Sequence, residues 1–402
     1  LVGSEMCIRD SMYSGMADVA AITGDSSYVR AIDRIWENIV GKKIYITGGI
    51  GARHEGEAFG DNYELPNLTA YNETCAAIGN VYTNYRLFLL HGDAKYFDVL
   101  ERTLYNGLIS GVSLDGGRFF YPNPLACDGK YRFNADHTIT RQPWFGCACC
   151  PSNISRFIPS LPGYVYAVKD DKVYVNLFLS NRAKLKVNGK NVVLEQETSY
   201  PWNGDIRLTV AKGNQPFVMN VRIPGWVRGS VLPGGLYSYA DGEELAYRVS
   251  VNGQEVKGAL QKGYLSIDRH WKKGDVVEIH FDMQPRVVKA NDKVAANRGR
   301  VAIEHGPLVY CAEWPDNDFD ISTLLLNRHP KFQVVEHPDL LGGINEITTR
   351  AQALSYDATG RLAAKDVKLT LIPYYAWAHR GEGRMEVWLP IEVGAASAEL
   401  QE

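Results

Sequence analysis

The spacing of apolar residues divides this chain into a helical part and a β part. Between Tyr28 and Val40 the apolar positions recur every three or four residues, and the same pattern returns after Glu73. This period places one face of an α-helix toward a core. We therefore predict that residues 12–163 are largely helical.

A repeat lies within the helical part. The residues from Gly24-Asp25 to Asn38 recur from Gly92-Asp93 to Asn106, each 68 positions later. A helix after each Gly-Asp pair indicates stacked helical hairpins. The alternative is a chance resemblance between two ordinary helix starts.

From about Tyr164 the apolar residues alternate with polar ones. The segments 172–177 and 182–187 show this period of two, which is typical of half-buried strands. Asn-Gly pairs, which favour tight hairpin turns, occur at 188–189, 203–204 and 252–253. The second half is therefore predicted to be all-β, as one or two sandwiches, with longer connections at 229–242 and 316–343.

The length of 402 residues exceeds what one core normally serves, so several domains are expected. The first residues, which begin with Leu1 and show no signal-peptide pattern, are interpreted as an artefactual or foreign lead-in. The predicted division is a lead-in at 1–11, a helical domain at 12–165, a β-sandwich at 166–288, a second sandwich or its continuation at 289–392, and a tail at 393–402.

Composition restricts the class of partner. The net charge of −3 gives no electrostatic reason to expect nucleic acid or an anionic membrane as a partner. No apolar run approaches the roughly 20 residues that span a bilayer. The 23 Tyr and 8 Trp residues suit clefts that bind sugars, although most aromatic side chains simply fill cores.

The cysteines suggest a metal site. Cys149 and Cys150 are adjacent, and Glu73 precedes Cys75 by two positions. Thiolates and a carboxylate are ligands that zinc accepts in tetrahedral sites, whereas a disulfide between neighbouring cysteines is strained. The alternative is a set of buried, inert thiols. Cysteines in this arrangement favour a reducing compartment and hence the cytoplasm.

If the predicted metal site hydrolyses a glycosidic bond, it needs a second carboxyl group that acts as the acid catalyst. Glu55 and Glu57 are candidates because they lie in a long, glycine-punctuated loop, 47–66, between the repeats. The alternative for each is an ordinary solvated carboxylate. The loop is not a phosphate-binding loop, because no Lys-Ser/Thr pair follows its glycines.

Several motifs together resemble glycoside hydrolase family 127, the β-L-arabinofuranosidases, with family 146 as close relatives. The resemblance covers residues 12 to about 390, is most specific in 44–155, and is looser in the β half. Its motifs are Tyr45-Ile46-Thr47-Gly48-Gly49-Ile50-Gly51, Gly56-Glu57-Ala58-Phe59, Leu65-Pro66-Asn67, Glu73-Thr74-Cys75-Ala76, Cys149-Cys150-Pro151-Ser152-Asn153 and Arg300 to Tyr310.

The resemblance implies the C-terminal part of an (α/α)₆ barrel followed by β-sandwiches. It implies a retaining exo-hydrolase that releases L-arabinofuranose from an oligosaccharide or glycoconjugate, with Zn²⁺ as the cofactor. The sequence leaves open whether the chain forms a homodimer. It implies these site residues: Cys149 as the nucleophile, Glu57 as the general acid/base, Glu73, Cys75, Cys149 and Cys150 as zinc ligands, and Tyr121 as a substrate contact.

The chain departs from the family at its start. Residues Ser4 to Asp10 stand where the family has Gly-His-Ala-Val-Arg, with Glu5 at the position of the histidine. About 160 helical residues are also fewer than the ~200 or more that twelve helices need. We therefore expect an N-terminally truncated barrel that carries the catalytic residues but has an open, incomplete substrate pocket. On this expectation the chain by itself does not have full activity. The competing functions are hydrolysis of another rare plant-polysaccharide sugar and non-catalytic carbohydrate binding with a structural zinc.

Overall fold

The computed structural model describes residues 5–135 and 137–397. The predicted lead-in falls partly outside them, at residues 1–4; from residue 5 onward the chain is part of the first helix, which crosses position 11 without a break. The helices of the described part are α1 Glu5–Thr23, α2 Ser26–Lys42, α3 Thr74–His91, α4 Lys95–Arg102, α5 Cys149–Phe157, α6 Pro162–Val165 and α7 Val393–Ser397.

The 68-residue repeat is confirmed as two helical hairpins, α1–α2 and α3–α4. In each turn the glycine, Gly24 or Gly92, has a positive φ of 70° or 61°. The aspartate that follows, Asp25 or Asp93, accepts a hydrogen bond from the backbone N–H two residues further on. Each aspartate thereby satisfies an amide that the new helix leaves without an intrahelical partner.

Helix α3 lies at the centre of the helical part. Arg86 of α3 pairs with Asp18 of α1 at 2.8 Å. On the α2 side, the Trp36 indole N–H donates to Asn84 of α3 at 2.8 Å. These contacts hold the second half of α3, and residues 74–81, its first two turns, are all buried. The residues at its N-terminus therefore have a fixed position.

Two long connections, 43–73 and 112–148, separate the helices of this part. The first contains the loop predicted at 47–66, whereas the second lies in a segment that the sequence pattern predicted as helical. In the first, the segment 47–51 packs against a π-helix, Thr103–Leu108, that continues α4. The Gly107 N–H donates to Thr47 O at 2.9 Å. A Cβ on Gly48 would collide with the backbone of Thr103, so this glycine permits a close approach of two chain segments.

The β prediction is confirmed. In the described part the strands are β1 Ala126–Cys127, β2 Tyr166–Lys169, β3 Lys172–Val175, β4 Asn181–Val187, β5 Lys190–Thr198, β6 Asp205–Lys212, β7 Asn214–Arg222, β8 Tyr237–Tyr239, β9 Tyr247–Val251, β10 Gln254–Glu255, β11 Tyr264–Lys272, β12 Val276–Phe281, β13 Pro285–Ala290, β14 Arg300–His305, β15 Leu308–Glu313, β16 Leu324–Leu326, β17 Gln333–His337, β18 Ile344–Tyr356, β19 Leu362–Pro373, β20 Met385–Glu386 and β21 Leu389–Pro390.

These strands form three sheets. A six-stranded sheet, β10-β9-β12-β6-β5-β4, and a four-stranded sheet, β11-β7-β3-β2, belong to the middle of the chain. A third sheet contains eleven strands and has the central order β16-β18-β19-β15-β14-β13-β8. Strands β8, β16 and β17 lie in the segments predicted as connections; β8 and β16 span three residues each, too few for a period of two to show.

Buried ion pairs join the helical part to the β part. Arg222 of β7 lies 3.0 Å from Asp98 of α4 and also pairs with Glu101. Arg102 pairs with Glu304 of β14 at 2.6 Å. Removing one partner from such a pair leaves an uncompensated buried charge, so these contacts hold the parts in one arrangement. Among the described residues, no helix has both the length and the apolar character that crossing a membrane requires.

Candidate active site

Four of the predicted residues lie together in the structure. One ligand atom from each of Glu73, Cys75, Cys149 and Cys150 lies within 4.8 Å of the others. The Sγ atoms of Cys149 and Cys150 lie 3.6 and 3.4 Å from Glu73 Oε1. Three of the four side chains are buried, and Cys149 is half-buried. The group is a candidate metal centre of one carboxylate and three sulfurs.

Two helix N-termini build this centre. Glu73 immediately precedes α3 and Cys75 lies in its first turn, while Cys149 and Cys150 are the first two residues of α5. Helix N-termini carry partial positive charge, which stabilises thiolates and carboxylates placed there. The local sequence therefore brings four candidate metal ligands to two helix ends that favour negative charge.

Tyr121 lies against the half-buried thiol. Its hydroxyl is 2.8 Å from Cys149 Sγ. Hydrogen bonds from Cys150 and then Cys75 hold the pKa of the Cys149 thiol far below its usual value. Burial, followed by the hydrogen bond with Cys149, raises the pKa of the Tyr121 hydroxyl well above its usual value. The phenol therefore stays protonated and can donate to a Cys149 thiolate.

Glu57 is connected to this group through a second tyrosine. The Tyr71 hydroxyl donates to Glu57 Oε1 at 2.9 Å, and the rings of Tyr71 and Tyr121 lie 6.2 Å apart. Burial raises the pKa of Tyr71 well above its usual range. Glu57 itself has a positive φ of 46°, an uncommon conformation for a residue with a side chain. The hydrogen bond from Tyr71 holds this carboxylate beside the Tyr71 ring.

Glu55 does not take part in this arrangement. It is exposed at the start of the short turn Glu55–Glu57. Of the two carboxylates that the sequence offered, only Glu57 is linked to the cysteines through the tyrosines. Cys147, two positions before Cys149, is exposed and lies 4.0 Å from the Tyr121 hydroxyl.

The sequence pattern missed several residues that support the site. Thr74 donates its N–H to Tyr121 O at 2.9 Å and its hydroxyl to Phe120 O at 2.8 Å. Asn123 donates to Thr74 Oγ1 at 3.0 Å, and Asn134 accepts from the Tyr121 N–H at 2.9 Å. Thr74 lies inside a motif of the family resemblance and Asn123 lies two positions after Tyr121, whereas no sequence signal indicated Tyr71 or Asn134.

Models of three protein domains match consecutive parts of the chain. The catalytic domain of the GH127 β-L-arabinofuranosidases matches residues 5–163, and the middle domain of the same enzymes matches residues 172–283. The C-terminal domain of glycoside hydrolase family 127 matches residues 285–390.

Characterised relatives are similar over nearly the whole chain. A non-reducing end β-L-arabinofuranosidase of Bifidobacterium longum subsp. longum is 36% identical over 400 residues, covering 93% of this chain and 57% of that protein.

Two solved structures are similar as well. A GH127 β-arabinofuranosidase structure is 74% identical, with a TM-score of 0.94, over 97% of this chain and 60% of its own. The GH127 β-L-arabinofuranosidase Ara127N of Geobacillus stearothermophilus T6 is 40% identical, with a TM-score of 0.86, over 94% of this chain and 59% of its own. The present chain spans about three fifths of the length of these relatives.

Proposed function

This chain belongs to glycoside hydrolase family 127, the β-L-arabinofuranosidases, and on that premise we propose that it carries the catalytic centre of a retaining exo-hydrolase. The proposed reaction releases L-arabinofuranose from the non-reducing end of β-L-arabinofuranosides. The proposal includes an (α/α)₆ barrel, of which the described helices would form the C-terminal part. The named activities of the relatives support this substrate class.

The observation that carries the proposal is the contact chain from Cys149 to Glu57. Tyr121 binds Cys149 at one end, and Tyr71 binds Glu57 at the other, with the two rings adjacent. The proposed nucleophile and the proposed acid/base thus stand at the two ends of one contact chain, and retaining glycosidases use a nucleophile and a carboxyl group as such a pair. The tyrosines would hold both groups in position before the sugar arrives.

In the proposed mechanism the Cys149 thiolate attacks the anomeric carbon of the sugar. The Glu57 carboxyl gives its proton to the departing glycosidic oxygen, so that a C–S bond replaces a C–O bond. The Glu57 carboxylate then takes a proton from water, whose oxygen attacks the same carbon and releases the thiolate. Two inversions at one carbon give net retention of configuration.

The donor set fits zinc. Three sulfurs and one carboxylate oxygen, all within 4.8 Å of one another, form the mixed, four-membered donor set that this ion accepts. We propose Glu73, Cys75, Cys149 and Cys150 as its ligands. When bound, zinc would keep the thiols deprotonated at neutral pH.

The test is replacement of the nucleophile. Cys149→Ser should lower the rate of hydrolysis of p-nitrophenyl β-L-arabinofuranoside by about 10³-fold or more, since removing a covalent nucleophile abolishes the main route. Cys127→Ser is the matched control, because Cys127 is a buried thiol in β1 outside the ligand set. Equal rates for the two variants would refute the assigned role of Cys149.

A further inference from the structure

A single tryptophan stands out on the surface of the large sheet. Trp314 follows β15 in a short turn, Trp314–Asp316, and keeps 42% of its surface exposed. Exposed tryptophans are costly in water and are enriched where proteins bind partners, because one large rigid ring contributes much contact area. The surroundings of Trp314 indicate what kind of partner it serves.

The indole is backed by a glycine turn. A Cβ on Gly383 would collide with the five-membered ring of Trp314, and a Cβ on Gly381 would lie 3.6 Å from Cζ2 of its six-membered ring. At Gly383 only a residue without a side chain lets the turn lie this close to the indole, whereas the distance at Gly381 is an ordinary van der Waals contact. The ring is therefore supported on one side by backbone while part of its surface remains open to solvent.

Ion pairs fix this turn in place. Arg380 binds Asp316 bidentately and also pairs with Glu313. Arg132, from the helical part, contacts both carboxylate oxygens of Glu382 at 3.0 Å. The backbone N–H of Trp314 donates to Arg384 O at 3.1 Å. Because the ring is held before any ligand arrives, little conformational entropy would be lost on binding.

Polar side chains surround the exposed ring. A surface depression of about 450 Å³ is lined by Trp314, Asn317, Asp318, Phe319, Asp320, Ile321 and Arg384. Two carboxylates and one guanidinium offer both acceptors and donors of hydrogen bonds. No residue of the Glu73, Cys75, Cys149 and Cys150 group lines this depression.

We propose that this depression is a second saccharide-binding site, which takes one or two sugar units of a neutral polysaccharide chain. A sugar ring offers an apolar C–H face to the indole and hydroxyls to the carboxylates and the guanidinium. Mixed charges beside an aromatic ring fit a neutral polyol better than an anion. The class of ligand rests on the proposed glycosidase function, but the binding itself does not need turnover.

The experiment is affinity electrophoresis of the full chain in native gels that contain soluble arabinan. The parent and Cys149→Ser should both be retarded, with a dissociation constant on the order of 1 mM for one small contact site. Trp314→Ala should weaken this binding at least tenfold, and Trp314→Phe should retain part of it. Tyr356→Ala is the matched control, since Tyr356 is 47% exposed on β18 and lies outside the depression.

Several results would overturn the site. They are a parent that arabinan does not retard, a folded Trp314→Ala that is retarded like the parent, and loss of retardation in the Tyr356 control. A change from dimer to monomer in Trp314→Ala by sedimentation, without arabinan retardation of the parent, would instead make the ring a contact between copies. Retardation that depends on Trp314 in a chain without hydrolytic activity would support the site while contradicting the proposed function.

Discussion

At the level of single residues, Tyr121 and Tyr71 each form a hydrogen bond with a different group of the candidate site. Both phenols keep their protons because burial raises the pKa of each hydroxyl. Tyr121 can therefore stabilise negative charge on Cys149, and Tyr71 can do so on Glu57. In the proposed mechanism the first bond weakens as the thiolate becomes a thioether, so Tyr121 also influences how readily sulfur leaves in the second step.

Removal of the Tyr121 hydroxyl should therefore change rate more than folding. We expect Tyr121→Phe to lower kcat for p-nitrophenyl β-L-arabinofuranoside by about 10- to 100-fold, because one charge-assisted hydrogen bond to the nucleophile is lost. Steady-state kinetics measure this, and a thermal melt checks the fold. Tyr131→Phe is the control, since that ring is 37% exposed and its hydroxyl has no role in the proposed mechanism. A kcat equal to that of the parent would contradict the role of Tyr121.

A second residue-level prediction concerns metal content. Glu73→Gln replaces a charged ligand by a neutral amide in a fully buried position, and we expect zinc affinity to fall by about 10- to 100-fold. Zinc per chain, measured by atomic absorption after dialysis against a weak chelator, tests this. Glu55→Gln changes the same functional group at an exposed position and should leave the zinc content unchanged. Equal zinc retention in both variants would remove Glu73 from the proposed ligand set.

The sequence predicted these residues unevenly. Glu73, Cys75, Cys149 and Cys150 were candidates because thiols and a carboxylate at such spacings can bind zinc, and the family resemblance selected them as one ligand set. Tyr71 was not recognisable, because one tyrosine among 23 looks like core packing until its hydroxyl is located beside Glu57. Residue type thus identified candidate ligands in the sequence, but it did not show which other side chains point toward them.

At the level of elements, the connection between the two hairpins depends on close backbone contact. Gly48 has a φ of 78° and lies against Thr103, and its carbonyl accepts hydrogen bonds from Asn80 of α3 and from Thr103. The same connection leads to Glu57. Its position beside the π-helix therefore determines where the proposed acid/base lies relative to α3.

A methyl group at Gly48 should disturb this connection. We expect Gly48→Ala to lower the free energy of unfolding by about 3 kcal/mol, because a left-handed backbone and a steric collision act together. Gly189→Ala is the control: Gly189 has a similar φ of 75° but open space around it, so about 1 kcal/mol of backbone strain is expected. Urea unfolding measures both values. Equal losses of unfolding free energy in the two variants would mean that the collision with Thr103 does not contribute.

Sequence patterns predicted elements best where one period continued for several turns. The helices after Asp25 and Glu73 were predicted because their stripes span three or more turns. The loop at 47–66 was predicted from its glycines, whereas the connection 112–148 was included in a helical span. Its single apolar residues pack on neighbouring segments, which no local period reveals. The strand β8 was missed for a related reason, since its three residues are defined by pairing with β13.

At the level of the whole molecule, residues of the β part form contacts that support the helical part. Arg141 lies in the connection before α5 and is almost fully buried. Its guanidinium donates to Trp377 O at 2.6 Å, to Tyr375 O at 3.1 Å and to Ser110 O at 3.0 Å. One side chain therefore joins the turn after β19 to the short turn Ile109–Gly111 that follows the π-helix.

This junction continues toward the candidate site. The Arg141 guanidinium lies 4.3 Å from the centre of the Phe120 ring, which stacks on Trp377 at 5.3 Å. Phe120 directly precedes Tyr121, and its carbonyl accepts the hydroxyl hydrogen of Thr74. The large sheet thereby supports the segment that carries the partner of Cys149, although the sheet itself supplies none of the proposed ligands.

The last prediction follows from the geometry of that guanidinium. Arg141→Lys keeps the charge but cannot reach three carbonyls in different directions, so buried acceptors would lose their donors. We expect the free energy of unfolding to fall by about 2–4 kcal/mol, measured by urea denaturation. Arg207→Lys should change the free energy of unfolding by about 0.5 kcal/mol or less, because Arg207 forms an exposed ion pair with Glu278 on the six-stranded sheet.

The same variant tests whether the sheet supports the site. Burial lowers the pKa of the Arg141 guanidinium to about 9, which leaves it charged at neutral pH, so its replacement by lysine changes shape more than charge. If Arg141 helps to hold Tyr121 in position, Arg141→Lys should lower kcat in the folded fraction while leaving the zinc content unchanged. A stable variant with the kcat of the parent would instead confine Arg141 to holding the two parts of the chain together.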